Sequence, residues 1–120
     1  MVNAFGLTFD EVTASNLVKV DLEGNILDDT PYGINPAGFT IHSAIHEVRH
    51  DAQCVIHLHT LATISVASVK GGLKPWSQYS MFSLPSLSYH SYEGLAVDDS
   101  EKKRLQDDLG DTNHMLLPNH

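Results

Sequence analysis

Positive charge is scarce in this chain. Seven lysines and arginines stand against fifteen aspartates and glutamates, a formal net charge of −8 with the histidines neutral. That balance disfavours a nucleic-acid backbone as partner. Cysteine is nearly absent. The single Cys54 cannot close an internal disulfide, which fits a reducing cytoplasm. Its place in an apolar run predicts a small buried side chain rather than a nucleophile. No stretch approaches the ~20 apolar residues of a membrane span, and the N-terminus has no basic or long apolar leader, so no signal peptide is expected. A glycine-rich phosphate cradle is missing, because Gly71-Gly72 reads as a helix stop. No Gly-x-Ser-x-Gly elbow is present. The acidic pairs Asp10-Glu11 and Asp28-Asp29 read as solvated surface. With 120 residues, 42% of them hydrophobic, the chain is long enough for one core and one domain at most.

Local patterns divide the chain into short elements. Residues 17–22 read as a strand, Glu23-Gly24-Asn25 as a turn, and Ile26-Leu27 as resumed extended structure. Asn35-Pro36 opens a helix, with Asn as cap and Pro at the first helical position. Its apolar face is Phe39, Ile41, Ala44, Ile45 and Val48. Residues 54–59 form an apolar, β-branched run expected to be the central strand, and Thr60 caps a helix over 61–69. Residues 74–80 read as irregular, and a short strand is expected near 87–90. Asp98 and Glu101 have capping-box spacing at an acidic helix start. Leu105 and Leu109 are that helix's apolar stripe, and Gly110 is its end. A last buried strand begins at His114. Helices alternating with strands indicate the α/β class, a sheet covered by helices. The chain stops just after the last strand and enters without a capping helix, so it reads as truncated at both ends.

Histidine is abundant, with eight residues. In Cys54-Val55-Ile56-His57-Leu58-His59-Thr60 the His-x-His spacing puts both imidazoles on one face of a strand. Two neutral imidazoles are two-thirds of a His₃ site for zinc or a similar divalent metal; the alternative is two satisfied core histidines. His120 follows the apolar Met115-Leu116-Leu117. If its strand lies parallel beside the His57/His59 strand, His120 becomes the third ligand and leaves an open position for water or substrate. His42, His46 and His50 repeat every four residues on one helix face. They read as a polar stripe rather than a second metal site, with His42 near enough to the helix start to support the ligands from behind. His90, in Tyr89-His90-Ser91-Tyr92, either lines the pocket or packs; Tyr92 is its companion candidate. His114 reads as a loop residue.

These segments together resemble the class II aldolase/adducin family, in its adducin-like subgroup. The matching stretches are Gly6-Leu7 through Val12-Thr13-Ala14-Ser15, then Leu17-Val18-Lys19-Val20-Asp21. They continue with Asn35-Pro36-Ala37-Gly38-Phe39-Thr40-Ile41-His42, the His57/His59 run, Tyr89-His90-Ser91-Tyr92-Glu93-Gly94 and Pro118-Asn119-His120. The resemblance covers residues 1–120 as a partial domain. It implies a three-layer α/β/α sandwich around a mostly antiparallel sheet, incomplete here, and a homo-oligomer, often a tetramer with sites between subunits. It implies zinc or another divalent metal on His57, His59 and His120, and a zinc-dependent aldehyde-lyase reaction on a small carbonyl or sugar-derived substrate. Three departures count against phosphosugar cleavage. Gly38 stands where the aldolases carry a catalytic Glu, and Pro36 and Ala37 stand where serines often contact phosphate. The family's N-terminal phosphate loop and first helix have no counterpart. His90 or Tyr92 is a stand-in proton donor by position alone. The alternative reading is a non-catalytic module like the adducin head, used for oligomerisation and cytoskeletal (actin-associated) contacts.

Overall fold

The computed structural model describes residues 1–96 and 99–120. Helix α1 spans Pro36–Val48. Asn35 caps it by accepting the Ala37 N–H at 3.1 Å, and Pro36 takes the first turn, where a missing N–H costs nothing. Thr40, Ser43, Ala44 and Ile45 are its buried residues. Helix α4, Asp99–Leu109, packs on α1 through Leu105 and Leu109, both buried. Burying one such leucine contributes about 2 kcal/mol. Polar side chains reinforce the contact. The Gln106 amide donates to the Ala44 carbonyl at 2.9 Å and to Glu47 at 3.1 Å, and Lys102 pairs with Glu47 at 3.2 Å. The capping spacing expected from Asp98 falls on a residue outside those described.

Strand β1 is Leu87–Tyr89 and β2 is His114–Leu116. They pair in parallel, with Leu87 opposite His114 and Tyr89 opposite Leu116. Parallel neighbours need a long crossover, and α4 provides it, so β1-α4-β2 is one unit. The mostly antiparallel sheet expected from the family resemblance is therefore not supported. The one ladder among the described residues is parallel, and antiparallel contact is confined to two isolated bridges, Val2 to Val18 and Val20 to Ile26. The second bridge closes over the expected turn. One oxygen of Asp21 accepts the N–H groups of Glu23 and Asn25, and Gly24 takes φ +90° there, a backbone conformation only glycine adopts freely.

Residues 54–59 do not form the expected central strand. They join no ladder, and among the described residues their backbone makes no hydrogen bond to other backbone. A strand exists only by virtue of its partner, however strong its pattern. For the same reason Cys54 is exposed, not buried: among the described residues no strand pairs with that stretch. Helix α2, Leu61–Ala67, is capped by Thr60 as its spacing implies. Helix α3, Gln78–Ser83, lies where irregular chain was expected. It starts at Ser77, whose hydroxyl accepts the Ser80 N–H at 3.2 Å, a cap obscured by Pro75 and Trp76 just before it. Among the described residues no helix is long and apolar enough to cross a membrane. The architecture is α/β, with four α-helices and a small two-stranded parallel sheet among the described residues.

Candidate metal centre

The extended run ends where Thr60 caps α2, which leaves His57 and His59 at the start of that helix. His120 arrives from the other side. After β2 the chain turns through Pro118-Asn119. Asn119 adopts φ +66° and donates its N–H to the Ala67 carbonyl at 3.2 Å, and the His120 N–H returns to the Leu117 carbonyl at 3.1 Å. Asparagine tolerates this left-handed turn better than most residues. The tail is thus tied to the end of α2, and His120 is brought to the other two histidines. The expected route was a strand pairing between 54–59 and the last strand. The actual one is β2 held by β1, followed by this turn. Asn119 is the residue whose role went unread, although Pro-Asn before a histidine is turn chemistry.

The three Nε2 atoms form a closed triangle with sides of 2.9 Å (His57 to His59), 3.1 Å (His57 to His120) and 3.2 Å (His59 to His120). Each pair of rings is steeply inclined, at 67° to 69°. Hydrogen bonds cannot satisfy such a triangle. A neutral imidazole has one N–H, so one Nε2 can donate to a neighbour, but another pair of nitrogens then faces lone pair to lone pair or hydrogen to hydrogen. A cation shared by three lone pairs resolves the conflict. Nitrogens bound tetrahedrally at zinc's bond length sit roughly 3.3 Å apart, close to the observed sides. The donor set therefore fits a divalent metal of borderline softness. Burial, then the neighbouring His120 and His59, push the His57 pKa down to about 4. Burial and His59 lower that of His120. Both shifts favour the neutral, ligating form.

Around the triangle the candidates separate. The Tyr92 ring meets His120 edge-on, with centroids 4.7 Å apart. His42 is half-buried on α1 and close enough to His57 to disfavour its protonation, and its own pKa is lowered by burial and by His46. His46 is half-buried and His50 exposed, and among the described residues the His57/His59/His120 group is the one cluster that could hold a metal. His90 does not line the site. It is 1% exposed, with Nδ1 2.8 Å from Asp108 Oδ2 and Nε2 3.4 Å from Glu101 Oε1, so it ties the chain after β1 to α4. Its segment is polar and aromatic in sequence, but α4's carboxylates claim both ring nitrogens. His114 opens β2 rather than a loop, and its Nδ1 lies 2.8 Å from the Ser86 hydroxyl. At Gly38, an added Cβ would meet only the Asn35 side chain, at 3.8 Å and beyond. Sterics therefore do not demand glycine where the aldolases carry Glu. Beside the triangle lies a cavity of about 680 Å³ lined by Leu58, Val66, Leu73, Met115 and Leu117 among others, with no lysine or arginine.

A parallel β-α-β unit whose strand exit meets a His-x-His segment defines an α/β domain built to gather three imidazoles. The model of the Class II Aldolase and Adducin N-terminal domain matches residues 1–120, and the chain belongs to that family. A Pseudomonas aeruginosa protein provisionally described as an aldolase class 2 protein is 62% identical over 120 residues, which are 100% of this chain and 46% of that protein. Alpha-adducin of Rattus norvegicus is 47% identical over 123 residues, 100% of this chain and 17% of its own length. The crystal structure of an aldolase II superfamily protein from Pseudomonas syringae superposes with TM-score 0.94 at 58% identity, over 98% of this chain and 48% of that one. L-fuculose 1-phosphate aldolase from Glaciozyma antarctica superposes with TM-score 0.82 at 27% identity, over 98% and 45%. The chain spans about half the length of the bacterial relatives it matches.

Proposed function

We propose that this chain is the metal-holding part of a class II aldolase-type lyase, with His57, His59 and His120 as ligands and zinc as the first candidate ion. The observation that carries the reading is the Nε2 triangle, which three imidazoles cannot satisfy among themselves. When bound, the ion supplies Lewis-acid polarisation of a substrate carbonyl. The chain's own residues do the rest. Burial keeps His57 and His120 in the ligating form, and Tyr92 walls the site beside His120. The substrate class is a small carbonyl or sugar-derived compound. The protein works as a homo-oligomer in the cytoplasm. The exposed Trp76, Tyr79 and Phe82 at α3 suit a subunit contact.

Gly38 favours a second reading. With no carboxylate at that position, proton transfer lacks its usual agent, and the likeness to alpha-adducin supports a non-catalytic head that keeps the histidines and assembles with proteins. Cobalt(II) titration followed by visible absorption tests the metal. One tetrahedral ion per chain is expected, lost in His57→Ala, His59→Ala and His120→Ala. Absence of binding by the wild-type chain, or equal binding by the three variants, refutes it. Turnover of hydroxy-carbonyl substrates by the zinc-loaded protein, abolished in the same variants, separates lyase from head.

A further inference from the structure

Tyr92 is held beside the nitrogen triangle by its neighbours rather than by its own backbone. The β1–β2 ladder gains its last bond at His90, whose N–H donates to the Leu116 carbonyl at 3.0 Å. Beyond it, among the described residues, neither Ser91 nor Tyr92 bonds through its backbone to other backbone. Tyr92 is 41% exposed, yet its ring stands edge-on to His120 at 4.7 Å. The side chains two residues before it and one after it both reach α4. His90 meets Asp108 at 2.8 Å and Glu101 at 3.4 Å. Glu93 accepts the Arg104 guanidinium on both carboxylate oxygens, from Nε at 2.7 Å and Nη2 at 2.6 Å. Glu101, Arg104 and Asp108 are spaced by three and four, which puts them on one face of α4. Acid, base and acid on that face meet an imidazole and a carboxylate on the segment that carries Tyr92. Leu105 and Leu109 beside them are buried, and α4 packs on α1, so this face has a fixed mounting.

We infer that Arg104 is a positioning residue for the His57/His59/His120 centre. Its two N–H groups fix Glu93, Glu93 fixes the backbone next to Tyr92, and the Tyr92 ring limits how the His120 imidazole can turn. The inference rests on the proposed reading of His120 as a metal ligand. The two anchors of the segment differ in kind. His90 is buried and serves the fold. The Arg104 and Glu93 side chains are 48% and 33% exposed, so their pairing adds little to stability. Its two-point geometry nevertheless sets direction as well as distance, which a point charge does not. Groups that orient a ligand from behind commonly change metal affinity about 10–100-fold. Arg104 acts at one further remove, through Glu93 and Tyr92, and never touches the metal or substrate.

NMR of the histidine rings in chelator tests the placement without metal. Tyr92→Leu removes the aromatic ring and should move the His120 ring signals. Arg104→Gln and Glu93→Gln should move them the same way, and Arg104→Gln should add nothing in the Tyr92→Leu background. Lys103→Gln breaks an exposed pair one residue away and should leave them in place. Cobalt(II) titration reads the consequence. Arg104→Gln and Tyr92→Leu should each weaken binding about tenfold, no more when combined, with one ion per chain retained. Arg104→Lys keeps the charge but not the fork and should weaken binding as Arg104→Gln does. Losing a positive charge by itself favours a bound cation, so weaker binding reports lost positioning. Unmoved His120 signals in Tyr92→Leu or Arg104→Gln overturn the inference, as do additive losses of affinity or tighter cobalt binding by Arg104→Gln. Moved signals in a chain whose wild type takes no cobalt support the placement of Tyr92 by Arg104 and sink the metal reading instead.

Discussion

His90→Ala removes a side chain that is 1% exposed and whose two ring nitrogens both face carboxylates. The two partners respond differently. The Asp108 side chain is 45% exposed and rehydrates when the imidazole leaves, so its contact, though short at 2.8 Å, is discounted to less than about 1 kcal/mol. The Glu101 side chain is 6% exposed and stays where water reaches it poorly. A buried polar group stripped of its partner costs about 1–3 kcal/mol, and more when charged. The lost packing of the ring adds about 1 kcal/mol. The sum is roughly 3–4 kcal/mol, within the range for breaking a buried pair from one side. Urea unfolding reads it as a lower midpoint at unchanged slope. Glu101→Gln, alone and combined with His90→Ala, completes a cycle in which the double variant should recover about 1–2 kcal/mol of the summed losses. Cobalt stoichiometry in the folded His90→Ala chain should stay at one ion, since His90 lies outside the nitrogen triangle. A loss below about 1 kcal/mol, additive behaviour in the cycle, or loss of the metal with the ring would refute the reasoning.

Arg49 clips the α4–β2 connection to the end of α1 by donating to the carbonyls of Gly110 and Thr112, at 3.1 and 2.8 Å, and to the Asn113 side chain at 3.2 Å. Arg49→Lys should lower the urea midpoint and weaken cobalt binding, because an ammonium cannot reproduce the planar fork and the connection leads into β2 and on to His120. Unchanged values of both would count against that. Stability should also depend on pH through His57. Its folded pKa lies near 4 against an ordinary 6.5, through burial and the His120 and His59 rings. Between those values the unfolded chain binds the proton the folded chain resists. Stability is therefore full above about pH 6.5 and falls as pH drops toward 4, with no further loss from this residue below that. Thermal melts of the metal-free chain from pH 4 to 8 should show this slope, and His57→Phe should lessen it, leaving the part due to His42 and His120; an equal slope in the variant would discard the assignment.

Elements with their own chemical punctuation were legible in the sequence. Asn35-Pro36 starts α1, Thr60 starts α2, and the stripe of Leu105 and Leu109 with Gly110 marks α4, because caps, stops and helical period are local interactions. The His-x-His pair was legible as a candidate ligand pair for a similar reason: spacing along one segment sets which face a side chain takes. Residues 54–59 were misread because extended pattern implies a partner without supplying one, and the exposure of Cys54 follows from that missing cover. For His90 the aromatic neighbours left two places open, lining the pocket or packing. Glu101 and Asp108, eleven and eighteen residues later, hold it in the packed place.

The sequence by itself determined helices α1, α2 and α4, the family and the three imidazoles. Only tertiary structure decided that β1 and β2 pair with each other, since a strand's partner is set by contacts between segments distant in sequence. Only tertiary structure closed the nitrogen triangle. His120 stands sixty-one residues from His59, and what spans that distance is a chain of non-local contacts: β2 on β1, Arg49 on the α4–β2 connection, and the left-handed turn at Asn119 tied to Ala67. No spacing rule encodes contacts of that kind, because each is set by surfaces that meet only after the chain has folded.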